Sequence, residues 1–106
     1  MSFILKQGDT SPSLSASLTN AVGSPLDLRG ATVRLFAADA AGQLALNKLM
    51  TITDAVGGVC RYDWVDGDTD VAGTYRVEFK ITYTDEAVET VPNSGFVTLI
   101  INKGIN

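Results

Sequence analysis

From Gly73 to Thr84 the chain reads GTYRVEFKITYT, with apolar and polar positions alternating one for one. Tyr75, Val77, Phe79, Ile81 and Tyr83 fall on one side, and Arg76, Glu78, Lys80 and Thr82 on the other. Side chains along a strand point alternately to its two faces, so this run predicts a β-strand with one face buried. Weaker versions of the pattern recur. VCRYDWV (Val59 to Val65) sets Cys60, Tyr62 and Trp64 opposite Arg61 and Asp63. FVTLIIN (Phe96 to Asn102) aligns Val97, Leu99 and Ile101, and ATVRLFAA (Ala31 to Ala38) aligns Val33, Leu35 and Ala37 opposite Arg34. SLSASLT (Ser13 to Thr19) aligns Leu14, Ala16 and Leu18 among serines, while Phe3 to Gln7 and Ala87 to Val91 read as short edge strands. Leu44 to Thr53 is the ambiguous segment. Leu46, Leu49 and Met50 could share a helical face, but the run flows into the β-branched Thr51-Ile52-Thr53, so it is read as one strand.

Turn-forming clusters separate these runs: Gly8-Asp9, Gly23-Ser24-Pro25, Asp39 to Gly42, Asp54 to Gly58, Asp66-Gly67-Asp68, Asp85-Glu86 and Pro92 to Gly95. Short strands spaced by about 8–12 residues mark a β-sandwich or barrel. With 106 residues and no repeat or linker, the chain predicts a single domain over residues 1–106. The expected fold is all-β, an immunoglobulin-like sandwich of about seven or eight antiparallel strands.

Composition narrows the chemistry. The net charge is −4, and the eight Lys and Arg residues are spread singly along the chain, without the basic stripe that nucleic-acid binding needs. There is no histidine, which excludes Ser-His-Asp and Cys-His catalysis within the chain and removes the commonest zinc ligand. Cys60 is the single cysteine, so no intramolecular disulfide can form and packing alone must hold the fold. No run approaches the ~18 apolar residues of a membrane span. The opening MSFILKQGDT lacks the apolar stretch of a secretory signal, so synthesis in the cytosol is expected, with no membrane insertion.

The candidate sites each admit a structural reading. Asp66, Asp68 and Asp70 share the odd-position spacing of a calcium loop. Val71 stands at that loop's glycine position and Val77 at its twelfth, where a bidentate glutamate belongs, so the trio reads as a solvated corner loop and no cofactor is assigned. Asp63 and Glu78 are the strand-borne carboxylates available for an acid–base pair, and both are expected to face solvent, so no catalytic residue is assigned. Tyr62, Trp64, Tyr75 and Tyr83 would make a sugar-stacking platform if exposed, but their phase points inward to the core. Cys60 shares that inward phase and reads as a small buried hydrophobe. Lys6, Gln7, Gly8, Asp9 and Pro12 form an arm that reads as a candidate assembly edge, where free backbone groups would pair with a neighbour.

The spelling Asp70-Val71-Ala72-Gly73-Thr74-Tyr75 is similar to the tyrosine corner of immunoglobulin-like sandwiches, in which a tyrosine near the start of a late strand turns its hydroxyl back onto upstream backbone. Asp70, Gly73 and Tyr75 are its candidate residues, with Val77 where an antibody domain carries a cysteine. More widely, Leu5 to Pro12, Pro25 to Val33, Asn47-Lys48, Thr53-Asp54-Ala55, Gly58, Tyr62-Asp63-Trp64, Asp68-Thr69, Ala72 to Tyr75, Glu78-Phe79 and Pro92 stand in the order found in one family. Nearly the whole chain resembles the immunoglobulin-like N-terminal domain of bacteriophage baseplate upper proteins. One departure is Asp85-Glu86, where an Asp-Gly hairpin turn is expected. The resemblance implies a structural protein of the virion tail or baseplate, made in the host cytoplasm. Its partners would be other tail and baseplate proteins, with a homo-oligomer as one form of the assembly, and it would act by docking rather than as an enzyme. The alternative reading is a host-surface or carbohydrate-binding adhesin module.

Overall fold

The computed structural model describes residues 2–92 and 95–105. Those residues form nine strands: β1 (Ser2–Lys6), β2 (Leu14–Ser17), β3 (Thr32–Ala38), β4 (Leu44–Leu49), β5 (Thr51–Asp54), β6 (Val59–Tyr62), β7 (Gly73–Thr82), β8 (Val88–Val91) and β9 (Val97–Asn102). Asn93 and Ser94, inside the turn expected from Pro92 to Gly95, lie outside the described residues.

Two sheets face each other. The larger has the order β1-β9-β7-β3-β4, and the smaller the order β2-β6-β5. Ten-residue β7 is long enough to serve two partners on one side: Gly73 to Val77 pair with β9, and Phe79 to Thr82 pair with β8. With β9, β7 and β3 adjacent in one sheet and β2, β6 and β5 in the other, this is the strand arrangement of an immunoglobulin-like sandwich.

The alternation seen in the sequence becomes the core. Tyr75, Val77, Phe79 and Ile81 of β7 turn inward with Val33, Leu35 and Ala37 of β3 and Leu99 and Ile101 of β9. They meet Leu14, Ala16, Cys60 and Tyr62 from the smaller sheet, and Leu18, Leu28 and Trp64 close the ends. Each fully buried aliphatic side chain here stabilises the fold by about 1.5–3 kcal/mol relative to exposure. Trp64 packs edge-on to Tyr62 at a centroid distance of 5.3 Å, and its indole N–H donates to the Pro12 carbonyl at 3.0 Å.

Two expectations are corrected. Leu44 to Thr53 is not one strand but two, β4 in the larger sheet and β5 in the smaller, which raises the count from eight to nine. The change of sheet falls at buried Met50, whose N–H donates to the Val33 carbonyl at 2.8 Å. Leu46, Met50 and Ile52 keep the same inward phase across the switch, so the alternation carries no break that would betray it. Nor are all strands antiparallel. β1 runs parallel to β9, from Ser2 opposite Thr98 to Lys6 opposite Asn102. From there the chain crosses to β2 in the other sheet.

Candidate functional site

Three loops meet where β7 begins: the arm after β1, the segment between β6 and β7, and the chain beyond β9. Tyr75 is buried, and its hydroxyl donates to the Val71 carbonyl, four positions back, at 2.6 Å, closing the corner. Burial raises the Tyr75 hydroxyl above its ordinary pKa, with a smaller contribution from Asp39. Gly73 is the first residue of β7, and the Asp70 carbonyl accepts from Gln7 Nε2 at 2.6 Å. Thr69 is the one buried polar residue among those described, and its hydroxyl donates to the Asp9 carbonyl at 2.8 Å while its own carbonyl accepts from Gly8 N–H.

These bonds alter the reading of the Lys6–Pro12 arm. Gln7 N–H donates to Asn102, Gly8 N–H to Thr69 and Asp9 N–H to Lys6, while Lys6 N–H donates to the Asp9 carboxylate and the Pro12 carbonyl accepts from Trp64. The arm is therefore a connector with much of its backbone from Lys6 to Asp9 bonded within the molecule. Lys6 and Gly8 to Pro12 are nonetheless exposed.

The aspartate trio does not converge. Asp68 turns inward, where its carboxylate accepts from the Tyr62 hydroxyl and the Val65 N–H and lies 3.5 Å from the Lys48 ammonium. Asp66 and Asp70 are exposed, and no metal-holding group of three acidic or sulfur ligands occurs among the described residues. Burial, and then the neighbouring Asp68 carboxylate, push the Tyr62 hydroxyl well above its ordinary pKa. Asp63 and Glu78 stand apart. Asp63 follows β6 of the smaller sheet and is bonded to Ser13 and Arg61; the Ser13 hydroxyl is the main cause holding its carboxyl below the usual range. Glu78 projects from the outer face of the larger sheet, so the two face no common cleft.

Tyr62, Trp64 and Tyr75 are buried. Tyr83 is half-buried with its hydroxyl donating to Glu89 at 2.8 Å; burial first, then that carboxylate, push it up to about 12. Cys60 is fully buried, 3.8 Å from the Ala16 carbonyl and 3.9 Å from Met50 Sδ, and desolvation raises its thiol to about 11.

What the sequence did not reveal is the outer face of the larger sheet. Because β3 and β7 are neighbours, Arg34 lies opposite Lys80, Phe36 opposite Glu78 and Ala38 opposite Arg76. Three cations that look scattered along the chain thus gather around one carboxylate. Arg34 donates to Asn47 Oδ1 at 2.8 Å, the Lys80 ammonium lies 5.9 Å from the Phe36 ring centroid, and the Arg76 guanidinium lies 5.8 Å from that of Phe96. The ion pairs among the described residues are Asp27–Arg29, Lys48–Asp68 and Arg61–Asp63, so none of the three face cations has a carboxylate partner. Ile4, Leu44, Leu49, Val88 and Phe96 are each more than half exposed on or beside this face. A groove of about 520 Å³ runs across it, lined by Phe36, Leu44, Arg76, Glu78, Lys80 and Phe96. The signal was half present in the sequence. Alternation already placed Arg76, Glu78 and Lys80 outward, but which strand lies beside them is set by topology alone.

The fold and this surface define a class: an immunoglobulin-like sandwich whose distinctive chemistry lies on an open sheet face, not in an enclosed cleft. The family model described as "BppU N-terminal domain" matches residues 3–104. The chain therefore belongs to the family of N-terminal domains of phage baseplate upper proteins. A search of curated proteins found no match. Among solved structures, the fold is similar to that of CopC from Methylosinus trichosporium OB3b, with a TM-score of 0.55 and 12% identity over 97% of this chain and 85% of that one.

Proposed function

We propose that this chain is a structural component of a phage tail baseplate that works by docking onto other virion proteins and carries out no chemistry of its own. Family membership supports the baseplate setting. The observation that carries the docking reading is the outer face of the larger sheet, where unpaired cations and half-exposed apolar side chains stand together. The solvated face of an antiparallel sheet is mostly polar, and clustered apolar exposure marks an interaction surface. The interior supplies rigidity without a disulfide, and the corner at Tyr75 locks the connector to the sheet.

The adhesin reading finds less support. A sugar platform needs open aromatic faces, whereas Tyr62, Trp64 and Tyr75 are buried and the Phe96 ring lies beneath Arg76. The test is to locate the chain in assembled particles, by tagging it and imaging purified tails. Density or label at the baseplate is expected. Complete, infectious tails that lack the chain would overturn the proposal.

A further inference from the structure

The outer face of the larger sheet has a definite electrostatic character. The chain carries a net charge of −4, yet this face holds Arg34, Arg76 and Lys80 against the single carboxylate of Glu78. Arg34 and Lys80 are directly opposed across β3 and β7, an arrangement that costs stability because like charges repel at cross-strand distance. Arg34 is drawn toward Asn47 on β4 and Lys80 sits near the Phe36 ring, so neither charge is neutralised. Cations kept adjacent, outnumbering the one carboxylate three to one, unpaired with it and beside exposed Leu44, Leu49 and Phe96, leave a surface whose complement is acidic and apolar.

We propose that this face docks a partner protein that presents carboxylates around an apolar patch, with Arg34, Arg76 and Lys80 meeting the carboxylates and Phe36, Leu44 and Phe96 meeting the apolar centre. This rests on the baseplate reading only for there being a protein partner; the partner's chemistry comes from the face. A second copy applied face to face through a twofold axis would set the same cations against one another, which argues for a different protein. A nucleic acid is disfavoured by the small number of cations and the apolar centre of the groove.

The probe is a peptide of alternating glutamate and leucine, compared with its lysine–leucine and glutamate–serine counterparts. Each is titrated into the isotope-labelled 106-residue chain and followed by amide chemical shifts. The expected result is binding of the glutamate–leucine peptide, with shifts confined to β3, β4, β7 and Phe96. Binding should weaken about tenfold or more when salt rises from about 0.05 M to about 0.5 M. The double variant Arg76→Gln/Lys80→Gln should weaken it similarly while keeping a dispersed, folded spectrum, and a second pair away from the face, Arg61→Gln/Lys103→Gln, should leave it unchanged. The proposal is overturned by equal binding of the lysine–leucine peptide, by shifts that map elsewhere, or by no binding. Concentration-dependent broadening of the face without peptide would also overturn it, by making the occupant a second copy. If the chain is found in baseplates but the peptide result fails, only the acidic-partner proposal falls. If the peptide binds as expected but the chain is absent from tails, the baseplate reading falls and the face chemistry stands.

Discussion

Replacing Tyr75 with phenylalanine removes one oxygen and leaves the ring in place, which isolates the corner hydrogen bond from the packing around it. Tyr75 is 6% exposed, and the lost contact is the 2.6 Å bond to the Val71 carbonyl. A hydrogen bond of this kind contributes about 0.5–1.5 kcal/mol net, and the full penalty of a buried unpaired acceptor would add to that. Val71 itself is 69% exposed, so water can reach its carbonyl once the hydroxyl is gone. The expected loss for Tyr75→Phe is therefore about 1 kcal/mol, which for a domain near this size lowers Tm by about 4–8 °C. Tyr75→Ala, which also empties the core site, should lose about 3–5 kcal/mol. Urea unfolding followed through Trp64 emission measures both, and the slope should not change because the buried surface is the same in Tyr75→Phe. Hydrogen exchange adds a local readout: the Gly8 amide, bonded to Thr69 at 3.1 Å, should exchange faster in the variant because the corner anchors the loop that holds it. A Tyr75→Phe midpoint indistinguishable from the parent, with unchanged Gly8 exchange, would refute the corner as a stabilising device.

Three further outcomes follow from single positions. Glu86 sits at φ +69° in the β7–β8 turn, where Tyr83 N–H bonds to Ala87 and Glu86 N–H to Tyr83, so Glu86→Gly should stabilise the chain by about 0.5–1 kcal/mol as the left-handed strain exceeds glycine's entropy cost; a lowered Tm contradicts this. Gly58 has φ +70°, and a Cβ there would lie 2.6 Å from the Leu18 carbonyl oxygen and 2.9 Å from that of Leu26, so Gly58→Ala should cost at least about 2 kcal/mol in denaturant titrations, and a neutral result would show that the backbone yields. The Cys60 thiol titrates at about 11 in the folded chain against an ordinary 9.0, so the folded state keeps a proton that the unfolded state surrenders. Its contribution to stability is full below pH 9.0 and is lost as pH rises to about 11; Cys60→Ala should flatten that part of the pH–stability curve, and an equally steep curve in the variant would remove Cys60 as the cause.

How far the fold could be seen in the sequence depended on whether a feature was local. The β7 strand was legible because its two faces differ in chemistry at every step, from Tyr75 inward and Arg76 outward to Ile81 inward and Thr82 outward. The Asp70–Tyr75 corner was legible because its donor and acceptor lie four residues apart. The split at Met50 was not, since a strand that changes sheets without changing phase leaves the alternation of Leu46, Met50 and Ile52 intact. Nor was the parallel pairing of β1 with β9, because five apolar-rich residues specify an extended conformation but not a direction. Glu86 shows the opposite case: the departure at Asp85-Glu86 was visible, yet the turn still forms, with a glutamate carrying the backbone angle that glycine adopts at less cost.

The outer face of the larger sheet, the proposed docking surface, was hidden for a related reason. Alternation assigns inward positions to the core and treats every outward position as solvated, so Arg34, Arg76 and Lys80 each read as one more solubilising charge. Only the register that sets Arg34 against Lys80 and Phe36 against Glu78 turns them into a surface. Three other cations are ion-paired, Arg29 with Asp27 and Arg61 with Asp63 two residues away, and Lys48 with the inward Asp68. On the larger sheet the fold places like charges across from one another and leaves apolar side chains open beside them. A chain under pressure only to fold would gain from a glutamate at position 34 or 80, which would pair across the strands at once. Keeping both cations costs the isolated domain stability, a cost that the carboxylates of the proposed partner would offset.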